Sequence, residues 1–193
     1  MKRSGGVLMH ISSLPGKYAI GTLGENAKKF IDFLSECSFG VWQVLPCGPC
    51  DEYNSPYSGK SAFAGNIYFI DPETLYKKNL LTKEDLKECE CENIYVTDYD
   101  FLYKTREDIF RKAFERFKDT EKILDFVKEN PWAEDYALFC AIKKGNNLPW
   151  YEWADGLKFR DKNALSKISE ELKEDILFYE FLQFQHVCQH HRH

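Results

Sequence analysis

The chain has 193 residues, a formal net charge of −5 and 44% hydrophobic residues, a composition that suits a folded protein with a sizeable core. The negative charge argues against nucleic acid as a partner, because phosphate-binding proteins usually present a basic face. No stretch approaches the ~20 consecutive apolar residues of a membrane helix. We therefore expect neither a nucleic-acid nor a membrane partner.

Cysteine usage and the first residues indicate a compartment. The seven cysteines cannot all pair within one chain, and their number favours a reducing environment. Residues 1–5 lead into a strand pattern and lack the apolar core of a secretory leader. We expect a cytoplasmic protein.

The first seventy residues alternate between strand and helix patterns. Residues 6–11 predict a strand, and residues 25–39 place apolar side chains at helical spacing, with Gly40 expected to end that helix. Residues 41–45 predict a second buried strand, and residues 67–70 a third. Strand, helix and strand in about forty residues predict a βαβ unit with a parallel strand pair and a right-handed crossover.

From Asp71 onward the pattern becomes helical. Pro72 and Thr82 are typical of the first residues of helices, whereas residues 89–97 and 149–153 show no regular period. Further helices are predicted over residues 101–118, 121–128, 132–144 and 163–185.

A long polar and aromatic loop, residues 54–66, lies between the second and third predicted strands. Loops that leave the end of a buried strand often bind ligands. Tyr57 could stack on a flat ligand, and Ser55 and Asn66 could bond to hydroxyl groups, which suits a sugar. The alternative is an ordinary surface loop in which the aromatic side chain packs against the loop itself.

Three collinear segments carry a family resemblance. They are Gly-Val-Leu-Met-His-Ile-Ser-Ser-Leu-Pro at 6–15 followed by Ile-Gly-Thr-Leu-Gly at 20–24, Trp-Gln-Val-Leu-Pro at 42–46, and Ser-Pro-Tyr at 55–57 with Ser-Ala-Phe-Ala-Gly-Asn at 61–66. Residues 135–139 and 159–161 extend the pattern. From about Ser4 to about Gln185 the chain resembles the amylomaltases, the 4-α-glucanotransferases of the disproportionating-enzyme type.

The resemblance implies an α/β fold, the incomplete N-terminal part of a (β/α)8 TIM barrel with a mostly α-helical insertion. Residues 1–71 would hold the first strands and helix, with a substrate-binding loop at 46–66. Residues 72–185 would form the helical insertion, and residues 186–193 an atypical tail. Because a barrel needs ~200–250 residues for eight strands and this chain offers about three, we expect a fragment truncated at its C-terminal side.

The resemblance also implies an activity. Such enzymes transfer α-1,4-glucan segments by a retaining double displacement that uses two carboxylates, which we expect C-terminal to this chain. Ser55 and Tyr57 would line the subsite of the transferred glucose, with Tyr53, Asn54 and Asn66 as secondary contacts. A malto-oligosaccharide is the implied partner, and no cofactor or metal is implied. The alternative is a non-catalytic glucan-binding fragment.

The Cys-Gly-Pro-Cys motif at residues 47–50 supports a further alternative, a thiol-disulfide oxidoreductase. In thioredoxin-like proteins a following helix lowers the pKa of the first thiol. Here Asp51 and Glu52 follow instead, and we expect them to keep both thiol pKa values near or above the ordinary value. A zinc site that adds Cys89 and Cys91 is disfavoured by their Cys-x-Cys spacing.

Overall fold

A computed structural model describes residues 3–146 and 148–190 of the protein. The chain forms two compact units, one comprising residues up to 118 together with those from 185 onward, the other residues 119–184. None of the helices in the described ranges is long and apolar enough to cross a membrane.

A parallel strand pair connected by one helix opens the first unit. Strand β1 (Gly6–Leu8) pairs with β2 (Val41–Gln43), and helix α1 (Glu25–Glu36) connects them. In the register of the pair, Val7 lies opposite Trp42. The predicted βαβ unit and its parallel pairing are confirmed.

One face of this strand pair packs on α1. The Trp42 ring meets the edge of Phe30 at 5.0 Å between ring centroids, and both side chains pack against a buried apolar cluster. The members of that cluster include Ile11, Leu14, Ile20, Leu23, Ala27, Phe69 and Leu102. The core of the first unit therefore lies on the α1 side of the strands.

Both strands and α1 end earlier than predicted. The Trp42 indole N–H donates to the Met9 carbonyl at 2.7 Å, and the chain then turns into a 3-10 helix at Ile11–Ser13. Helix α1 ends at Glu36, and Ser38, with φ 61°, adopts the left-handed conformation. The expectation that Gly40 would end the helix was wrong, because Ser38 takes the turn.

The prediction of a third strand at residues 67–70 was wrong. These residues form a 3-10 helix, Ile67–Phe69. The Asn66 side-chain oxygen accepts a hydrogen bond from the backbone N–H of Tyr68 at 3.0 Å, and the Phe69 N–H bonds back to the Asn66 carbonyl at 3.0 Å. A side-chain cap at Asn66 therefore favours the turn over extended pairing.

Three further helices complete the N-terminal part of the first unit: α2 (Pro72–Lys77), α3 (Lys83–Glu88) and α4 (Tyr99–Arg116). Both predicted starts are confirmed by caps. The Asp71 carboxylate accepts the Thr74 N–H at 2.9 Å, and Thr82 forms a capping box with Asp85.

The second unit is helical in its described residues. It contains α5 (Thr120–Glu129), α6 (Trp132–Gly145), α7 (Asp155–Lys158), α8 (Lys162–Glu171) and the first part of α9 (Lys173–His190). The prediction of a single helix over residues 163–185 was wrong, because α8 ends at Glu171 and α9 begins at Lys173. Helix α7 was not predicted.

The end of α9 belongs to the first unit. There the Gln189 side-chain oxygen accepts the backbone N–H of Asp71 at 2.7 Å, and His186 is buried against Gly65. The residues expected to form an atypical tail thus continue a helix as far as His190 and pack. His191 to His193 lie outside the described residues.

Candidate binding site

The loop expected to bind substrate leaves the carboxyl end of β2, and backbone hydrogen bonds close its base. The Asn66 N–H donates to the Cys47 carbonyl at 2.8 Å, and the Lys60 N–H donates to the Pro49 carbonyl at 2.9 Å. Within the loop, one Asp51 carboxylate oxygen accepts the N–H of Tyr53 at 3.0 Å. The loop therefore has a defined conformation held by its own polar groups.

Asn54 is fixed at the turn of this loop. It adopts a left-handed conformation with φ 59°, which asparagine tolerates better than most residues. Its side-chain oxygen accepts a hydrogen bond from the hydroxyl of Tyr103 on α4. The bond joins the loop to α4. Asn54 also lines a cavity of about 200 Å³.

The two predicted primary residues lie next to each other. The Ser55 hydroxyl oxygen accepts the backbone N–H of Tyr57 at 3.4 Å, and Ser55 is half-buried. The Tyr57 side chain is 75% exposed, although it carries a large apolar ring. Because the Tyr57 ring is exposed and the loop is held by its own hydrogen bonds, the ring is available to a ligand.

Tyr57 lines a cavity of about 560 Å³ on one side of the loop. Its walls include Phe63 and Ser61 of the same loop and the α9 residues His186, Val187 and His190. Burial, together with the neighbouring His190, lowers the pKa of His186 to about 4, so its imidazole is neutral at pH 7. The cavity is thus mostly uncharged and partly aromatic.

A second cavity, about 200 Å³, lies on the other side of Pro56, which lines both. Asn54 and Asn66 line this second cavity, while Tyr57 lines only the first. Tyr53 is 82% exposed and lines neither of these two cavities, and neither does Ser55. The structure therefore separates Tyr57 from the amide residues predicted as secondary contacts.

Three tyrosines that the loop pattern did not reveal surround the second cavity. Tyr68 and Tyr103 lie 5.3 Å apart between ring centroids, and Tyr99 lies 6.0 Å from Tyr103. Burial raises the pKa of all three, that of Tyr68 to about 12, so their hydroxyls are protonated donors at pH 7. The four-residue spacing of Tyr99 and Tyr103 on α4 was the available sequence signal.

His10 also lines the second cavity. Its Nδ1 atom is buried and has no hydrogen-bond partner among the described residues, and its ring lies edge-on to Phe69 at 5.4 Å. Burial lowers the pKa of His10, so the ring is neutral at pH 7. The cavity therefore presents a neutral imidazole beside phenolic and amide groups.

Two carboxylates close to the loop, those of Asp51 and Asp71, make structural hydrogen bonds. One Asp51 oxygen accepts loop N–H groups, and Asp71 accepts the hydroxyl of Thr22 at 3.0 Å as well as capping α2. Neither lines either of the two cavities. Among the described residues, no group of three or more histidine, cysteine or acidic side chains is placed to hold a metal ion.

The cysteine pair of the loop is held in the thiol form. Burial raises the pKa of both Cys47 and Cys50, and the charge of Asp51 adds to the effect at Cys50. The thiols donate to the carbonyls of Leu45 at 3.3 Å and Gly48 at 3.6 Å, respectively. The expected direction of the pKa change is confirmed, although burial is the larger cause.

We predict that Cys47 and Cys50 are not a redox pair, because a low thiolate fraction slows disulfide exchange. Titration of the chain against a dithiol redox buffer should give no defined midpoint, and the double variant Cys47→Ser/Cys50→Ser should give the same trace. A midpoint near the thioredoxin value of about −270 mV that this double variant abolishes would contradict the prediction.

Comparison with known proteins places this loop and its strands in a recognised family. A sequence model of the 4-alpha-glucanotransferase family matches residues 9–193. The 4-alpha-glucanotransferases of Aquifex aeolicus and Clostridium butyricum are 43% and 42% identical over 94% of this chain. The chain spans 38% of the length of each of these relatives. The match continues past Gln185, where the resemblance was expected to stop, so that expectation was wrong.

A solved structure shares the same backbone. The amylomaltase from Streptococcus agalactiae in complex with acarbose superposes with a TM-score of 0.90 and 36% sequence identity. The superposition covers 97% of this chain and 39% of that one. The fold described above therefore recurs in that amylomaltase.

Proposed function

Because this chain belongs to the 4-alpha-glucanotransferase family, we propose that it supplies the sugar-binding loop of such an enzyme. The observation that carries this proposal is Tyr57, an exposed ring on a braced loop at the carboxyl end of β2, beside a cavity of about 560 Å³. Enzymes built on (β/α)8 barrels place their sites at that end of the strands. The substrate we propose is an α-1,4-glucan or malto-oligosaccharide.

Ser55 and Tyr57 are the proposed contacts of the glucose unit that is transferred. A sugar ring has apolar C–H faces, which an aromatic ring can cover, and hydroxyls at its rim, which need hydrogen-bond partners. Tyr57 offers both a ring and a hydroxyl, and the Ser55 hydroxyl can donate while its oxygen accepts the Tyr57 N–H. The pair can thus orient one sugar unit.

Secondary contacts are proposed on the other side of Pro56. There Asn54 and Asn66 share a cavity with phenolic hydroxyls, while Tyr53 remains exposed to longer glucans. The Asn66 side chain already caps the 3-10 helix through its oxygen, so its amide hydrogens are the groups it can offer. Protonated tyrosine hydroxyls and amides suit neutral sugar hydroxyls.

The proposed reaction is retaining transfer by double displacement. One carboxylate attacks the anomeric carbon, and the second protonates the leaving oxygen and then activates the acceptor hydroxyl. We place both carboxylates on barrel strands beyond the part of the family that this chain spans, which would make the chain the N-terminal part of a (β/α)8 barrel. Its role is then to bind and orient the donor sugar. The seven cysteines, none of which forms a disulfide in the structure, fit a cytoplasmic location.

The 193-residue chain alone should show no glucan disproportionation, because positioning groups cannot replace the nucleophile. The measurement is product analysis after incubation with maltotriose, with the Aquifex aeolicus relative as the positive control. New malto-oligosaccharides from the purified chain would contradict the prediction. The non-catalytic alternative, a glucan-binding fragment, predicts the same result but also predicts no transfer when the missing part is supplied.

The site is tested by joining this chain to the remaining sequence of the Aquifex aeolicus relative. In that fusion, Tyr57→Ala should lower kcat/KM for maltotriose by about thirtyfold, since a buried aromatic contact at a binding site contributes about 2 kcal/mol or more. Tyr57→Phe keeps the ring and should retain most of the activity, and the difference between the two variants reports the ring separately from the hydroxyl.

Tyr95→Ala is the matched control, because Tyr95 is 82% exposed and lies outside the loop. It should change kcat/KM less than about twofold, as exposed substitutions away from a site usually do. Thermal midpoints are measured for every variant. If Tyr57→Ala lowers the midpoint by many degrees while kcat/KM stays near that of the parent fusion, Tyr57 is a packing residue and the site assignment fails.

A further inference from the structure

Two neighbouring aromatic side chains of the second unit are exposed. Trp150 is 55% exposed and Tyr151 is 56% exposed, and both belong to a 3-10 helix, Trp150–Glu152, that follows α6 in the chain. Single exposed apolar residues are normal on a protein surface, whereas contiguous ones mark places where a ligand or a partner binds. We call the side chains of Trp150 and Tyr151 the aromatic platform.

The aromatic platform stands on a fixed base. Trp153, which follows the 3-10 helix, is buried, and its ring packs on Phe139 of α6 at 5.5 Å between ring centroids. The Trp153 indole N–H donates to the Leu148 carbonyl at 3.0 Å, and the Lys143 ammonium donates to the same carbonyl at 2.9 Å. The backbone N–H of Trp153 donates to the Trp150 carbonyl at 3.2 Å. The turn that carries the platform is therefore organised in advance, which lowers the entropic cost of binding a ligand.

The two rings also carry polar groups at their edges. Within the described part of the chain, no hydrogen bond involves the Trp150 indole N–H or the Tyr151 hydroxyl. An indole N–H donates and a phenol hydroxyl both donates and accepts, so the platform offers apolar faces beside hydrogen-bonding edges. A sugar ring has the matching combination of apolar C–H faces and a rim of hydroxyls. A partner that offers only apolar atoms would bury these edge groups unpaired, which costs free energy.

The angle between the rings limits the shape of the ligand. Their centroids lie 6.0 Å apart, and their planes meet at 80°. A flat ligand can stack on only one of the two rings, because it would meet the other edge-on. A chain whose successive units tilt against each other can place one unit on each ring. An α-1,4-glucan is such a curved chain, whereas a β-1,4-glucan is a flat ribbon, so the geometry favours the α-linked chain.

We propose that the aromatic platform is a second glucan-binding site, with one glucose unit on the Trp150 ring and a neighbouring unit on the Tyr151 ring. Such a site retains a long α-1,4-glucan on the second unit. The choice of ligand rests on the proposed function, whereas the place of the site rests on the two rings. Because the platform lies in the second unit and the loop that carries Tyr57 lies in the first, substitutions can test the two sites separately.

The experiment labels the four tryptophans of the 193-residue chain with fluorotryptophan and follows their fluorine NMR signals during titration with maltoheptaose. The signal that Trp150→Phe removes is the Trp150 signal, and it should shift with maltoheptaose and move several-fold less with cellopentaose. Tyr151→Ala should weaken the binding measured at this signal by about fivefold or more, because it removes one of two aromatic contacts. Tyr95→Ala is the matched control, since Tyr95 is an exposed tyrosine of the first unit, and it should change the binding less than about twofold.

The same titration of Tyr57→Ala separates this site from the loop site. The Trp150 signal should shift there as in the unmodified chain, whatever Tyr57→Ala does to glucan transfer in the fusion. The second site is overturned if the Trp150 signal does not move, if it moves equally with both oligosaccharides, or if Tyr151→Ala and Tyr95→Ala bind alike; the loop site is then still decided by its own kcat/KM measurements. Loss of the Trp150 shift in the Aquifex aeolicus fusion would also overturn it, because the remaining family sequence would then cover the platform. Thermal midpoints show whether each variant is folded.

Discussion

Gly65→Ala is expected to lower the free energy of unfolding of the first unit by about 2 kcal/mol or more. A Cβ atom at this position would overlap the imidazole ring of His186. His186 is buried at the end of α9, so its ring cannot swing into solvent without leaving its packing. Overpacking of this kind typically costs ~1–3 kcal/mol, and one side or the other must move.

Gly59→Ala is the matched control within the same loop. There the nearest heavy atom to an added Cβ is the Ser61 carbonyl oxygen at 3.7 Å, which is ordinary contact. Chemical denaturation of both variants measures the difference, and the thermal midpoint should fall by about 4–8 °C for Gly65→Ala alone. An unchanged midpoint for Gly65→Ala would show that α9 does not close on this loop.

A double-mutant cycle assigns the cost to the overlap itself. His186→Ala alone removes a buried ring and should be destabilising, but in the Gly65→Ala background it also removes the clash and should cost less. A coupling energy near zero would contradict the contact. Because Gly65 and His186 also line the cavity beside Tyr57, Gly65→Ala should reduce glucan transfer in the fusion enzyme as well.

Local features of the chain were predictable because their causes lie within a few residues. The spacing of apolar residues in α1 and the two flanking strands predicted the βαβ unit, and Pro72 and Thr82 predicted two helix starts, which the side chains of Asp71 and Thr82 cap. The same locality explains an error. Residues 67–70 are an apolar run that fits either a strand or a turn, and only the Asn66 cap decides between them.

Features that depend on distant residues could not be predicted in this way. His186 meets Gly65 across more than a hundred residues of sequence, and the hydroxyl of Tyr103 on helix α4 reaches the loop residue Asn54. The family resemblance predicted that the loop matters but not that its two sides form separate cavities. Such contacts depend on tertiary packing, which periodicity and local propensity do not encode.

Two buried titratable residues on α9 should make the free energy of unfolding depend on pH in opposite directions. Burial, with a smaller contribution from Glu134, raises the pKa of Glu180 to about 7, above its ordinary value. Burial, with a smaller contribution from His190, lowers the pKa of His186 to about 4. Glu180 lies in the second unit and His186 in the first, so each residue reports on its own unit.

The sign follows from which state binds more protons. Folded Glu180 retains its proton between the unfolded pKa and about pH 7, so its contribution to stability is lost as the pH rises through that range. Folded His186 resists protonation, so its contribution is present above the unfolded pKa near 6.5 and is lost as the pH falls towards 4. Each shift corresponds to a difference on the order of 3 kcal/mol across its range.

Single neutral variants isolate the two effects, because the other titrating groups cancel in the difference from the unmodified chain. The stability gained by Glu180→Gln should be near zero at pH 4 and should rise on the order of 3 kcal/mol by pH 8, since the variant carries no buried carboxylate. The stability of His186→Gln relative to the unmodified chain should instead rise as the pH falls from 7.5 to 4. Denaturant unfolding monitored at several pH values measures both differences. If the free energies of unfolding of Glu180→Gln and the unmodified chain run parallel with pH, the Glu180 carboxylate ionises in the folded state with its ordinary pKa. If those of His186→Gln and the unmodified chain run parallel, the His186 imidazole titrates in the folded state with its ordinary pKa.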